Sequence, residues 1–205
     1  MMGGLGRSAG LVFLLAWTSA ANAGGLRDGH VAISGERLTT FGYTSISGDV
    51  DEEQGAIALF GRGGSLSPYD MPRLAFDAFV TRGLSVGGSL TYQKYFLDPQ
   101  ELDIFLISPR VGYAIGMGDM ADFWLKGGIS YYSTSTDAGV FGNAEESGLA
   151  FSGAFDFVIA PAPHFGILVG PSFDVGLTGE RSSGAASADI KYTTLALNMG
   201  LVGWF

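Results

Sequence analysis

The sequence predicts an all-β chain: antiparallel strands closed into an up-and-down barrel that crosses a lipid bilayer. It has eight strands or, alternatively, ten. Three observations predict it. The stretch Thr193 to Phe205 alternates, with Leu195, Leu197, Met199, Leu201 and Phe205 on one side and Thr194, Ala196, Asn198, Gly200 and Trp204 on the other. Extended chain alternates its side chains with period two, so one face of this strand is oily and the other small or polar. The composition points the same way: 33 glycines, 15 phenylalanines and 8 tyrosines, but only 15% charged residues. Glycine and aromatics are poor helix formers, and aromatics favour strands. The third observation is rhythm. Alternating segments of about ten residues follow one another, joined by short and longer connections in turn, which is the pattern of a membrane barrel.

The chain opens on a targeting segment. Arg7 is its positive start, Leu11 to Trp17 its apolar core, and Ala21-Asn22-Ala23 a small-residue cleavage site before Gly24. The apolar run is shorter than the ~20 residues of a spanning helix. Residues 1–23 are therefore expected to be a cleaved signal peptide and 24–205 one barrel domain. Val31 to Ser47 reads as a first strand in imperfect alternation. Asp49 to Glu53 is an acidic break. Ala56 to Phe60 is a short apolar run, expected to extend a loop hairpin above the membrane. Gly61 to Pro72 reads as loop.

From Arg73 the pattern is regular. Leu74, Phe76, Ala78 and Val80 oppose Ala75, Asp77, Phe79 and Thr81, and Arg82-Gly83 turns the chain. Further strands carry their oily faces on Leu84 to Tyr92, Phe105 to Ile115, Phe123 to Tyr131, Leu149 to Ile159 and Phe165 to Val175. Short turns are expected at Gly116 to Ala121 and Ala160 to Pro163. Loops are expected at Leu97 to Glu101, Ser133 to Ser147 and Gly179 to Asp189. The short turns and both chain ends should share one rim. A soluble sandwich would wet one face with Lys, Glu and Thr. Here that face is Gly, Ala and Ser with lone charges, which suits a narrow lumen.

Without Arg7 the chain has 10 basic against 20 acidic residues, a net charge of −10. That balance speaks against a nucleic-acid partner, whose phosphates need Lys and Arg. There is no cysteine, hence no disulfide or thiolate chemistry. Five charges fall on the inward face: Asp77, Arg110, Lys126, Asp156 and Asp174. Facing lipid, Arg or Lys would cost about 2–4 kcal/mol at mid-membrane. Facing inward they can pair, and Lys126 with Asp156 is the expected ion pair. Such a network either plugs an eight-strand lumen or gates it; the plug is preferred because that interior is only wide enough for side chains. Tyr92 and Tyr131 toward the loops, with Phe123 and Trp204 toward the turns, are expected in interfacial girdles.

No catalytic, cofactor or metal site is expected. His30 and His164, the two histidines, lie toward the turn side, and no nucleophile spacing is evident. Asp49 to Glu53 with Asp70 lacks calcium-loop spacing and reads as solvated charge.

The signal segment, the alternating strands and the closing Leu195–Phe205 resemble the small outer-membrane barrels of Gram-negative bacteria, among them the OmpA membrane domain, OmpX and OmpW. The resemblance covers Arg73 to Phe205 well and Gly24 to Pro72 weakly. It implies an outer-membrane protein in contact with lipid and lipopolysaccharide, expected to be monomeric. It also implies that Leu197, Met199, Leu201 and Phe205 form the address read by the barrel-assembly machinery. Three roles stand open under it. The first is a structural or surface-interaction barrel without catalysis. The second is passage of small apolar or amphipathic solutes, as in OmpW-like barrels. The third, and least favoured, is lipid A editing.

Overall fold

The computed structural model describes Leu26 and residues 29–49, 51–60, 62–63, 67–81, 83–97, 100–118, 120–137, 143–184 and 186–205. The expected signal peptide lies outside them. Among the described residues ten strands are present: β1 (Val31–Gly48), β2 (Glu52–Leu59), β3 (Arg62–Gly63), β4 (Arg73–Thr81), β5 (Leu84–Leu97), β6 (Gln100–Gly116), β7 (Ala121–Asp137), β8 (Asn143–Ala162), β9 (Phe165–Ser183) and β10 (Ala186–Trp204). Eight of them form the wall. β4 to β10 pair in chain order, and β1 closes the ring between β4 and β10, every pair antiparallel. Closing the sheet into a ring satisfies most of its strand edges, which is what lipid demands of a sheet, though β4 is too short to cover all of β5.

The two extra strands correct one expectation. Ala56 to Phe60 does not merely extend a hairpin above the wall. Ala56 to Leu59 belong to β2, which runs down β1 from Ile46 to Thr39. Thr39 pairs on its other edge with the lipid-facing Met199. The reason lies in β4, which has only nine residues and reaches β1 no higher than Glu36. β2 covers the backbone edge of β1 that β4 leaves bare.

The expected loops also shrink. β5 and β6 pair up to Leu97 and Gln100, β7 and β8 to Asp137 and Asn143, and β9 and β10 to Ser183 and Ala186. Above the bilayer both faces are wet, so the hydrophobic alternation fades while the Ser- and Thr-rich ladder continues. The short turns fall close to where expected. Gly83 turns with φ 84°, Met117 N–H donates to the Ala121 carbonyl at 2.9 Å, and His164 takes φ 63°. β1 starts and β10 ends at this same turn rim, where Val31 and Phe205 exchange backbone hydrogen bonds of 3.1 and 3.0 Å.

Side chains sort by parity. Ile33, Phe76, Leu90, Ile107, Phe151 and Leu197 lie exposed on the outside. So large an apolar belt marks a surface that meets lipid. Of the expected address residues, Leu197, Met199 and Leu201 lie on this belt, and Phe205 is exposed at the end of the chain.

Parity breaks once where it matters most. Between Gly35 and Thr39 the β1 register slips against β10, and Arg37 adopts φ 54°. A bulge of this kind re-aims side chains. Here it turns both Glu36 and Arg37 inward, burying two consecutive charges.

Candidate functional site

The lumen is filled in three layers. At the turn end lies an apolar layer of Leu26, Phe79, Trp124, Val158, Val202 and Trp204. Leu26 is tied there by its N–H, which donates to Asp122 Oδ2 at 2.9 Å. Phe79 packs on Trp124 with ring centres 5.4 Å apart. Trp204 is 3% exposed, so it stands in the lumen and not in an interfacial girdle. Position 204 shares the inward parity of Asn198 and Val202, and glycine makes the room: a Cβ at Gly166 would come within 3.0 Å of the Trp204 ring. Trp124 is likewise fitted against Gly112, where a Cβ would sit 2.6 Å from Nε1. Tyr92 and Tyr131 do face outward and are exposed, and Phe123 points outward beside Phe157 at 5.1 Å.

Above this lies the ionic layer. Arg110 makes two bonds to Glu36, at 2.6 and 2.8 Å, and two to Asp77, at 3.0 and 2.5 Å. Lys126 Nζ sits between Glu36, at 2.5 Å, and Asp156, at 2.6 Å. It also lies 4.4 Å from the centre of the Trp124 ring, a cation–π contact that joins the two layers. Arg37 reaches Asp174 at 2.8 Å, and Ser152 donates to the other Asp174 oxygen at 2.5 Å. Arg73 lies 3.7 Å from Asp174. All five charges assigned inward from the sequence therefore meet in one layer. Ser108, Ser130 and Ser152 continue it as a hydroxyl chain of 2.8 and 2.6 Å links, and Thr40, Asn198 and Ser172 do the same at 2.8 and 2.6 Å. The cavity left among these groups is about 40 Å³. That is room for a few waters and far too little for a solute.

Four charges of this layer were not identified from sequence. Glu36 and Arg37 hide in the bulge, which no alternation rule anticipates. Arg73 has the parity of Asp77, the one signal in the sequence that puts it inward. Asp70 is expected from the sequence as solvated loop charge. It is 2% exposed and lies 3.8 Å from Arg37.

The third layer is made by tyrosines and by a segment folded in from the β2–β4 connection. Ser67–Met71, with a single 3-10 turn at Pro68–Asp70, lies inside the mouth. The Tyr69 carbonyl accepts from Arg37 and, at 2.6 Å, from Arg73. The Tyr69 ring meets Tyr132 edge-on at 5.2 Å, and Tyr132 meets Tyr192 at 6.0 Å. Tyr132 donates to Glu146 at 2.8 Å.

Over this floor opens a cup of about 490 Å³. Pro68, Met71, Leu102 and Ile104 give it apolar lining, and Thr134, Thr136, Glu145 and Arg181 polar lining, with Leu102 level with Thr136 and Ile104 level with Thr134. Arg181 donates to Glu146 at 2.8 Å and to the Tyr192 hydroxyl at 3.1 Å. Burial alone would lower the pKa of Arg181, but the Glu146 bond and charge outweigh it and raise it. The histidines lie elsewhere. His164 Nδ1 donates to the Trp204 carbonyl at 3.0 Å on the turn rim, and the His30 carbonyl accepts from Phe79 there. Among the described residues no three potential metal ligands cluster.

No family model matches this chain, and no curated protein matches it in sequence. Solved structures do match. Neisserial surface protein A is similar with TM-score 0.55 at 11% identity, covering 86% of this chain and 97% of its own. OprG of Pseudomonas aeruginosa is similar with TM-score 0.54 at 11% identity, over 88% and 98%. AlkL, determined in lipid bilayers, is similar with TM-score 0.56 at 10% identity, over 92% and 96%. At such identities the likeness is one of fold: the chain has the architecture of the small outer-membrane β-barrels.

Proposed function

We propose that this barrel sits in the outer membrane of a Gram-negative bacterium as a closed, non-enzymatic wall element, with a structural or surface-contact role carried by its loop end. The observation that carries the reading is the three-layer filling of the lumen. A solute moving along the axis would have to displace the Tyr69 segment, break paired buried charges and then part Trp124 from Trp204. Buried charges separated from their partners cost several kcal/mol each. The apolar belt supports the membrane location, and the turn rim with both chain ends would face the periplasm. Lipid and lipopolysaccharide would be its surroundings, the barrel-assembly machinery its partner during insertion, and the monomer its form. The test is swelling of proteoliposomes in small sugars. The closed barrel gives the swelling rate of empty liposomes, and faster swelling that scales with protein would overturn it.

A second reading is supported by the wall itself. Above the Leu74–Leu90 pair, β5 has no partner on its β4 side among the described residues, and Thr91 closes the corner with a 2.7 Å bond to the Pro72 carbonyl. This notch beside the cup favours sideways passage of small apolar or amphipathic solutes. Cells expressing the chain would then take up a small apolar dye faster, and equal uptake would remove this reading. Lipid editing finds no support, because both histidines sit on the rim opposite the cup. Deletion should leave the lipid A profile unchanged.

A further inference from the structure

We infer that Ser67–Met71 is a strap whose seating in the loop-end mouth takes up one proton, held on Asp70, so that acid latches the strap and neutral water loosens it. The inference takes from the proposed function only that the loop end meets water. It holds whether or not the lumen conducts.

The first ground is a charge count. Among the described residues the ionic layer holds four cations, Arg37, Arg73, Arg110 and Lys126, and four wall carboxylates, Glu36, Asp77, Asp156 and Asp174. The wall is therefore balanced without the strap. Asp70 brings a fifth carboxyl into a dry place, at 2% exposure. An unpaired buried charge is costly, and a carboxyl so placed takes a proton instead.

The second ground is geometry. Each wall carboxylate has a cation at 2.5 to 2.8 Å. Asp70 has Arg37 only at 3.8 Å, and that guanidinium already bonds Asp174. Asp70 Oδ1 is buried without a hydrogen bond. The strap is seated by other groups. The Tyr69 carbonyl accepts from Arg37 and Arg73, the Tyr69 ring meets Tyr132, and the Thr194 hydroxyl donates to Ser67 at 3.0 Å. All of these persist when Asp70 is neutral.

The surroundings leave Asp70 as the group that titrates. Burial is the largest influence on its carboxyl and lifts it to about 6; Arg37 and Thr44 on β1 and Arg73 on β4 pull it down, and Asp174 on β9 pushes it up. Tyr132 on β7 and Tyr192 on β10 pack in the same layer, and tyrosines ionise only near pH 10. β6 adds the apolar Leu106 there. Glu36 is held by Arg110 and Lys126, and Glu146 on β8 by Arg181. The histidines stand on the opposite rim. A carboxyl raised in the seated form favours seating in acid, and that advantage is lost as pH climbs through about 6. Against an ordinary carboxyl near 4, the seating equilibrium should fall about tenfold between pH 5 and pH 8.

Amide hydrogen exchange tests this, read by NMR on the full 15N-labelled barrel in lipid nanodiscs and corrected for the intrinsic pH dependence of exchange. The reporters are the Tyr69 N–H, bonded to Ser67 Oγ at 3.2 Å, and the Asp70 N–H, bonded to the Ser67 carbonyl at 3.1 Å. Both should be about tenfold more protected at pH 5 than at pH 8, while wall amides of β9 and β10 keep their protection. Asp70→Asn cannot ionise. Its Tyr69 N–H should show no pH dependence and, at pH 8, protection on the order of a hundredfold above the wild type. The proposal is overturned by equal protection of the strap at both pH values, by greater protection at pH 8, by the same change in the wall amides, or by a folded Asp70→Asn that keeps the wild-type slope. The wild-type profile decides by itself if the variant does not insert. Ion flux reports on the lumen separately, so a conducting barrel and a pH-insensitive strap are distinguishable outcomes.

Discussion

Replacing Lys126 by Met tests the ionic layer at its most dependent point. Lys126 bridges Glu36 at 2.5 Å and Asp156 at 2.6 Å, with its side chain 3% exposed. Glu36 keeps Arg110 after the change, through bonds of 2.6 and 2.8 Å. Asp156 has no second cation among the described residues and is itself only 7% exposed. The variant therefore strands one buried carboxylate. Breaking a buried pair by removing one partner costs about 3–5 kcal/mol. Removing both partners as Lys126→Met with Asp156→Leu takes the stranded charge away and should return most of that loss, since apolar replacement of a buried pair is often near neutral. The assay is urea unfolding from lipid vesicles, followed by tryptophan fluorescence, because Trp124 and Trp204 both stand in the lumen. The double-mutant cycle should show a coupling of about 2–3 kcal/mol, within the usual range for residues in contact. A loss below about 1 kcal/mol in the single variant would match an exposed pair instead. It would refute a dry, packed layer.

The other predictions follow from the same layers. Trp204→Ala should cost about 3–5 kcal/mol by opening a cavity in the apolar layer, whereas Tyr92→Ala, on the outside, should cost under about 1 kcal/mol; the same unfolding assay ranks them, and the reverse order would put Trp204 back at the membrane interface. Tyr69→Ala should lower stability by about 3–5 kcal/mol yet leave ion flux at background, because the ionic and apolar layers beneath it remain; new flux would make the tyrosine layer the sole barrier. Phe205→Ala should slow insertion by the assembly machinery while leaving spontaneous folding into bare vesicles unchanged, and equal slowing in both would reduce the terminal ring to packing.

Much of this was legible because strand parity is strict. Asp77, Arg110, Lys126, Asp156 and Asp174 could be set on one inner face from spacing alone, and their neighbours in the wall follow from chain order. Parity also spoke correctly for Trp204, whose side of β10 is the inner one; its size and its place near the end suggested a girdle. The contrary signal is Gly166 and Gly112, which leave space on the neighbouring strands for the two indoles. What could not be read came from departures from the period. The bulge at Glu36–Arg37 requires a non-glycine residue at positive φ, which no local preference announces. The inward fold of Ser67–Met71 depends on the neighbouring Arg73 and also on Arg37 and Tyr132, both distant in sequence. The Ser- and Thr-rich strand ends looked like loops because water wets both their faces and no oily stripe remains to betray the ladder.

The claim that organises the account is that the barrel is shut along its axis. Single-channel recording in a planar lipid bilayer measures this directly with the wild-type chain. The account predicts a flat baseline at the resolution of single openings, under voltages of either sign. Discrete, reproducible current steps would contradict it, since ions would then be crossing the layer that Glu36, Arg110 and Lys126 are said to close.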